Sequence, residues 1–562
     1  MELLDLPDDV LLLIFSDLYG EHALNVALTS KRLSALALPR VAAVIKCNGR
    51  RDLLHLHKYL LSGNPARAQH VRTLAIEVYS FMRGGMSFPL ETAETLSWPV
   101  DTDGLFQDVS QAHLIGDILL HSQNIRELAL ERFQPCLQRD PRIGTALASM
   151  TNLQHLRLSV IGDTALAVLQ SSKADITRLT LSYHTEDDLP LPGEPKTMPA
   201  LLDALTHFRN LRILKLWNFN PSAALSPHYQ CGSTPPELPS ITYLRLSESS
   251  IHALEMVSLC PNLSTLIFSI RIDFSEEMLL MLTPSETNTA PPKWPPLRRL
   301  MLGGHHEILS VLKRLGRVDL LQIGGDLCTA HGVPGFLDLL RVTSPIELYL
   351  SVIPSVLPSD FWADVVRAAP RLRVLELKVD VPGTTETHVN LLDGMPEFLA
   401  QLRVPCLRLY FPIPQLTFAH NFLANDVEGD VRPTPARELE IRRVKALRSL
   451  PQRLLEAMPS LRCLAVLDGG SLGTILQRKS NEDDSDSEDG DHAHADVYEW
   501  DELRRTDHIR SMKWWRVVDG PDGRTLQRIT EEEGERVQQE YVDHERAASD
   551  DALAERVASL SL

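Results

Sequence analysis

One short motif in this 562-residue chain has the pattern of a catalytic nucleophile. Residues 469–473 read GGSLG, which fits G-x-S-x-G, the sharp turn that exposes a serine hydroxyl between a strand and a helix. The strand-like LRCLAVLD precedes it, so Ser471 is a candidate nucleophile for a hydrolase. The motif is short and frequent by chance, however, and a glycine-rich turn that ends a strand explains it better.

The candidate residues for binding a metal ion or a phosphate group are weaker. Asp491, His492, His494 and Asp496 could hold a divalent cation, but alternating ligands in a polar tract make a weak, unselective site. The run at 305–307, HHE, lacks the two histidines at i and i+4 that a zincin helix requires, and no G-x-x-x-x-G-K-[ST] occurs. We therefore expect no enzyme, no metal and no cofactor.

Charge and cysteine content narrow the class of protein further. The net charge is −18, of which −14 falls after residue 480, so no basic stripe indicates nucleic acid or an anionic membrane. No run of about 18 apolar residues predicts a membrane span, and the acidic N-terminus is unlike a secretory signal. The seven cysteines are scattered without a C-x-x-C pair, which favours buried thiols in a reducing compartment, cytoplasmic or nuclear.

Two short amphipathic helices are predicted at the N-terminus. In LPDDVLLLIFSDL, residues 6–18, Pro7 suits the first helical position and the acidic pair suits the positive end of the helix dipole. A second helix is predicted from Ala23 to Pro39, where the proline is expected to end it. Both helices carry more apolar surface than they can bury together, which suggests a partner face.

These residues resemble the F-box family: Leu-Pro, an acidic pair, V-L-x-x-I-F-x-x-L, a connector, then L-x-S-K-R-L-x-x-L. The resemblance implies a three-helix module that docks on the Skp-type adaptor of a cullin–RING ubiquitin ligase. Ser30 and Leu33 stand where many members have Cys and Trp. By position, the residues that carry or support the adaptor contact are Leu6, Pro7, Val10, Ile14, Leu18, Leu28, Ser30, Lys31 and Leu36.

A repeating pattern fills the long middle of the chain. Units of apolar-x-x-Leu-x-apolar, many preceded by Asn or Pro as in TNLQHLRL and PRLRVLEL, return about every 28 residues from Ile125 to Leu461. Amphipathic stretches such as LLDALTHF and SDFWADVVRAA come before several of them. One helix and one strand per unit cannot bury both faces alone, so the units must stack into a curved α/β solenoid with parallel strands.

The middle resembles a degenerate leucine-rich-repeat array, because the family's Asn or Cys after each strand is missing. Phe133, Ile161 and Phe219 hold three of those positions, so the turns need other hydrogen bonds. Residues that alternate with the leucines would line the concave surface and select a partner. The candidate target-binding residues are His155, Arg157, Lys215, Trp217, Tyr243, Arg245, Glu376 and Lys378.

The C-terminal part reads differently. Residues 481–497 are acidic and too polar to form a core, which predicts a disordered linker. Beyond it we expect strands Lys513–Val518 and Thr525–Ile529 around the turn DGPDG, then a charged helix from about Glu531 to Arg546. The tryptophans at 500, 514 and 515 suggest a pad that closes the last repeat or, alternatively, a peptide-binding surface.

The sequence as a whole predicts an α/β protein with four parts: an F-box-like helical module at 1–47, a leucine-rich-repeat-like solenoid at 48–480, an acidic linker at 481–497 and a small α+β tail at 498–562. The overall pattern is one seen in fungal F-box proteins. It predicts a substrate-recognition subunit that contacts the Skp-type adaptor and cullin scaffold and an unknown target protein, with no nucleic acid or membrane. A repeat scaffold outside any ligase is the first alternative, and a hydrolase using Ser471 is the second.

Overall fold

The computed structural model describes residues 5–62, 65–81, 108–183, 198–221, 236–270, 294–303, 308, 311–324, 332–354, 357–379, 385–411, 435–468, 512–521 and 523–560. The chain divides into two compact units, unit 1 with residues 1–282 and unit 2 with residues 283–562. Both units combine helices with parallel strands, as the sequence predicts. The four domain bounds proposed from the sequence stay predictions.

Unit 1 begins with a small helical module. Helices α1 (Asp8–Ile14), α2 (Gly20–Ala27) and α3 (Lys31–Val41) surround a core of Leu11, Phe15, Ala27, Leu33 and Ala37. Three details of the prediction are wrong. The stretch from Ala23 to Pro39, expected to be one helix, is divided between α2 and α3, because α2 ends at Ala27 and Ser30 caps a new helix that begins at Lys31. Pro7 precedes α1 with extended ψ, and α3 continues past Pro39 to Val41, because the fixed φ of proline is itself helical.

The rest of unit 1 is a parallel sheet whose strands are paired in chain order. The strands are β1 (Val44–Cys47), β2 (Thr73–Ile76), β3 (Glu127–Leu130), β4 (His155–Ser159), β5 (Arg178–Ser182), β6 (Ile213–Trp217), β7 (Tyr243–Ser247) and β8 (Thr265–Phe268). The helices are α4 (Arg50–Leu61), α5 (Ala112–His121), α6 (Phe133–Arg139), α7 (Arg142–Ser149), α8 (Asp163–Gln170), α9 (Met198–Leu205) and α10 (Glu255–Ser258).

The turns after β3 and β6 in unit 1 use backbone and serine groups in place of an asparagine ladder. Phe133, Ile161 and Phe219, which hold the positions of the family's Asn or Cys, have buried apolar side chains. The Ser159 hydroxyl oxygen accepts the Arg132 N–H at 2.9 Å, and the Ser249 hydroxyl oxygen accepts the Phe219 N–H at 3.3 Å.

Backbone hydrogen bonds between successive turns also take the place of the asparagine ladder. The Gln134 N–H donates to the Val160 carbonyl at 3.1 Å, and the Tyr183 N–H donates to the Trp217 carbonyl at 2.9 Å. The expectation that the turns use other hydrogen bonds is confirmed for these repeats.

Unit 2 continues the pattern and ends differently. Parallel strands β9 (Leu297–Leu302), β10 (Val318–Ile323), β11 (Glu347–Val352), β12 (Val374–Val379), β13 (Cys406–Phe411) and β14 (Cys463–Asp468) are followed by antiparallel β15 (Lys513–Gly520) and β16 (Gly523–Ile529). The helices are α11 (Gly332–Thr343), α12 (Phe361–Ala368), α13 (Thr385–Leu399), α14 (Pro435–Ala457) and α15 (Glu531–Leu560). The predicted hairpin is confirmed, and the last helix is longer than expected. No helix of the described residues has the length and apolar character needed to cross a bilayer.

Candidate binding surfaces

Exposed apolar side chains are concentrated in the N-terminal module. Among the described residues, eight of the thirteen large hydrophobic side chains that are exposed lie between Val10 and Leu38. Leu13 is 73% exposed, Ile14 46% and Leu28 75%. Val10, Leu13 and Ile14 share one face of α1 because they are three and four residues apart. An apolar face of this kind usually meets a partner.

The residues predicted for adaptor binding fall into two groups. Pro7, Val10, Ile14, Leu28 and Lys31 are exposed. The remaining residues support the module from within: Leu6, Leu18 and Leu36 pack partly buried against its core, and Ser30 caps α3.

Polar contacts fix the geometry of this module. The Ser30 hydroxyl oxygen accepts the Leu33 N–H at 3.2 Å, which is the N-cap of α3. Arg32 donates to the Asp8 carboxylate at 2.7 Å and to the Leu6 carbonyl at 2.7 Å. Arg32 therefore holds the first turn of α3 against the start of α1, so that the exposed apolar residues of α1 have a defined position.

In each unit, the strand residues that alternate with the buried leucines form a second face, which we call the polar face. In unit 1 most residues of this face are half-buried or exposed, whereas Ala75, Ser159 and Ser247 are buried. At its β3–β4 part, His155 lies 2.8 Å from Glu127, and Arg157 lies 2.8 Å from Glu131. Each of these two β4 side chains thus lies beside a carboxylate from the preceding repeat.

The β5–β8 part of the unit 1 polar face has another composition. Its strand positions carry Arg178, Lys215 and Arg245, and no carboxylate stands at any alternating position of these four strands. Lys215 and Arg245 are partners in register on β6 and β7. The Arg245 guanidinium stacks on the Trp217 ring with 4.5 Å to its centroid. Lys215, Trp217, Tyr243 and Arg245, which the sequence singled out, thus lie together on one part of the sheet.

Glu376 and Lys378 belong to unit 2, where the polar face is covered. The expectation that Glu376 is exposed is wrong, because its exposed fraction is only 7%, and its role in target binding stays a prediction. Its carboxylate lies 3.4 Å from the Arg408 guanidinium, which stacks on Trp514 with 4.5 Å to the ring centroid. Lys378 is half-buried on the same strand.

Helix α15 lies against the unit 2 polar face. Val537 and Val542 join a buried cluster with Val374 of β12, Cys406 of β13 and Cys463 of β14. Ion pairs surround this cluster: Glu535 with Arg408 at 3.8 Å, Glu545 with Arg373 at 2.8 Å and with Arg371 at 3.5 Å, and Arg546 with Asp319 at 3.1 Å. Gln538 donates to Glu347 at 3.4 Å.

Sequence reasoning missed this docking of α15. The glycine at 534 is the signal that could have found it, because a Cβ there would overlap the ring of Trp514. Trp514 is buried and lies in the same cluster, as the pad interpretation predicts. Trp500 lies outside the described residues.

The covered face changes the acidity of several groups. Burial is the largest influence on Glu347 and raises the pKa of its carboxyl above the ordinary value. The hydrogen bond from Cys406, together with Arg408 and Arg516, lowers the pKa of the Cys463 thiol against the opposing effect of burial. In unit 1, burial raises the pKa of the Cys47 thiol to about 12.

Ser471, the 305–307 run and the tract with His492 and His494 lie outside the described residues. Within the described part of the chain, no group of three His, Cys, Asp or Glu side chains could hold a metal ion.

Comparison of the sequence with protein-family models and with curated proteins gives no match. The functional argument therefore depends on the surfaces themselves.

Proposed function

We propose that this chain is the substrate-recognition subunit of an SCF-type cullin–RING ubiquitin ligase. The N-terminal module would bind the Skp-type adaptor, and the repeat array, which resembles leucine-rich repeats, would bind the target. The observation that carries the proposal is the concentration of exposed apolar side chains on a folded three-helix module whose sequence resembles an F-box.

The physical role is one of binding without catalysis. A receptor that holds a target near a charged conjugating enzyme raises the effective concentration of the target lysine and restricts its orientation. Such a role needs two separate surfaces on one chain. The apolar residues of α1 and α2 and the polar face of unit 1 supply two surfaces of different chemistry.

The test is capture of the intact chain by a purified Skp-type adaptor. Ile14→Asp and Leu28→Asp place charges at exposed positions, so the module core of Leu11 and Phe15 stays intact. We expect the double variant to lose adaptor binding. Leu54→Asp is the matched control, because Leu54 is 48% exposed on α4 and outside the module.

One observation favours a second candidate, a repeat scaffold in which the module only closes the array. β1 follows α3 after a short turn and pairs with β2, and the Ala43 carbonyl accepts the N–H groups of Arg72 and Thr73. Failure of the wild-type chain to bind the adaptor, with the module folded by hydrogen exchange, would favour the scaffold and contradict the ligase role.

A further inference from the structure

A basic pocket lies in unit 1 between the N-terminal module and the first strands of the sheet. Its volume is about 500 Å³. Six of the side chains that line it carry hydrogen-bond donors: Tyr19, Arg40, His70, Arg72, Thr73 and Arg126. Among the described residues that line it, Glu127 alone is acidic. Three arginines and a histidine thus surround one cavity.

The backbone fixes the positions of these arginines. Arg72 and Arg126 come directly before β2 and β3, respectively. The Arg126 N–H donates to the Arg72 carbonyl at 2.7 Å, so the two residues are neighbours at one edge of the sheet. Arg40 belongs to the last turn of α3. The pocket is therefore built on a helix and two strands, which hold their side chains more rigidly than a loop would.

The hydrogen bonds of Arg40 and Arg72 go to neutral groups. Arg72 donates to the Gln69 carbonyl at 3.1 Å and to the Asn124 carbonyl at 3.2 Å. Arg40 donates to the Ser16 carbonyl at 3.5 Å. These contacts orient the two guanidiniums without cancelling their charge. Both bonds of Arg72 use Nη1, and a guanidinium has five N–H donors.

The acid of the pocket is held by other residues. The Glu127 carboxylate lies 2.8 Å from His155 on β4 and accepts a hydrogen bond from the Thr73 hydroxyl at 3.5 Å. The Arg126 side chain is exposed and makes no hydrogen bond or ion pair with any other residue that the structure describes. Arg126 is therefore the guanidinium best placed to receive a ligand.

The charges of the three arginines act on one another. Burial is the largest influence on Arg72 and lowers its pKa, and the charges of Arg126 and Arg40 lower it further. An anion held among the three relieves this repulsion. A phosphate group suits the pocket better than a carboxylate, because it has up to two negative charges and three strong acceptor oxygens for donors that come from several directions.

We propose that the pocket of Tyr19, Arg40, His70, Arg72 and Arg126 binds a phosphate group. The group belongs either to a small free phosphate or to a phosphoserine side chain, and the same donors recognise both. This site is separate from the exposed apolar residues of α1 and α2, so its occupation does not depend on the proposed ligase role.

The experiment is isothermal titration calorimetry of pyrophosphate into the full-length chain, without divalent metal. We expect saturable binding whose affinity falls as salt is raised. Arg126→Ala should weaken the affinity about fivefold or more, because a charge-assisted hydrogen bond is lost. Arg126→Lys keeps the charge and should weaken it less. Circular dichroism checks folding, and Arg126→Gln replaces an Arg126→Ala variant that does not fold, with the same loss expected.

The matched control is Arg209→Ala, the same change at an exposed arginine before β6, three strands further along the sheet. It should leave pyrophosphate binding unchanged. An alanine pentapeptide with a central phosphoserine, and the same peptide with serine, distinguish the two sources of phosphate. Tighter binding of the phosphopeptide than of pyrophosphate assigns the pocket to phosphorylated proteins, and the reverse order assigns it to a free phosphate.

Three outcomes would overturn the proposal: no saturable binding of pyrophosphate, equal affinities of the wild type and Arg126→Ala, or an equal loss in the Arg209→Ala control. The Ile14→Asp and Leu28→Asp variant should still bind pyrophosphate. Failure of the ligase role is thereby distinguished from failure of this site.

Discussion

The polar faces of the two units are built from similar side chains and differ in what lies on them. In unit 1, Arg245 stacks on Trp217 on a half-buried face. In unit 2, Arg408 stacks on Trp514 beneath α15, and both Arg408 and its partner Glu376 are buried. An arginine on a sheet is therefore a surface feature or a core feature according to what covers it, and its energetic importance changes accordingly.

The largest expected effect is at this pair of arginines. Arg408→Ala should destabilise strands β12–β14 by about 3–5 kcal/mol, because it leaves the buried Glu376 carboxylate without its cation. Arg245→Ala should cost about 1 kcal/mol or less, the value of a half-exposed cation–π contact. Hydrogen exchange followed peptide by peptide in urea measures both.

A double variant separates charge from packing at the buried site. Arg408→Met with Glu376→Leu should recover much of the loss, since an apolar pair needs no counter-charge. Equal costs for Arg408→Ala and Arg245→Ala would contradict the distinction between the covered and uncovered faces.

The docking of α15 is tested at Gly534. Gly534→Ala should weaken docking by about 1–3 kcal/mol, because the added methyl overlaps the Trp514 ring, although alanine is the better helix former. Gly394→Ala in α13 is the control: nothing lies near its Cβ, and it should stabilise by about 0.5–1 kcal/mol. Faster exchange in α15 for Gly534→Ala alone is the expected result, and stabilisation by both substitutions would rule out the close packing.

Acid should act in opposite directions at two carboxyl groups, one in each unit. Two hydrogen-bonded groups report this: Glu347 in unit 2, whose pKa burial raises, and Asp140 in unit 1, whose pKa the Arg142 guanidinium lowers. The contribution of Glu347 is present below pH 4.5 and is lost as pH rises through its raised pKa. The contribution of Asp140 is present above pH 3.8 and is lost as pH falls through its lowered pKa.

Glu347→Gln and Asp140→Asn check these signs. Differences in exchange protection between each variant and the wild type, followed across pH, should change in the α15 peptides toward neutral pH and in the α6–α7 peptides toward strong acid. A parallel change in the two regions would show that the carboxyls have similar environments, against the structure.

The smallest expected effect is a change in the reactivity of a cysteine thiol, which reports directly whether α15 covers the unit 2 polar face. Cys463 has a lowered pKa beside Arg408 and Arg516, whereas the pKa values of Cys47, Cys136 and Cys260 are raised to about 12. We expect Gly534→Ala to expose Cys463 to iodoacetamide while Cys47, Cys136 and Cys260 stay unmodified, as mapped by mass spectrometry. Unchanged protection of Cys463 would mean that α15 does not control access to it.

Local pattern was sufficient for much of the fold. The alternating positions of Leu214 and Leu216 predicted β6, and the stretch around Trp362 predicted α12, because the period of apolar residues is a property of neighbouring residues. The same logic placed Lys215 and Arg245 on the polar side of their strands. Local pattern did not find the break between α2 and α3, and it ended α3 two residues early at Pro39, since the fixed φ of proline is helical.

The sequence by itself determined which side chains alternate on each strand, which residues form the helical module and which residues are charged. Only the tertiary structure decided which polar face is covered. The contacts of Glu545 with Arg373 and of Arg546 with Asp319 join residues more than a hundred positions apart, and no local period encodes such a pairing. Glu376 was misjudged for this reason: its strand position is polar, but the helix that buries its environment comes from the far end of the chain.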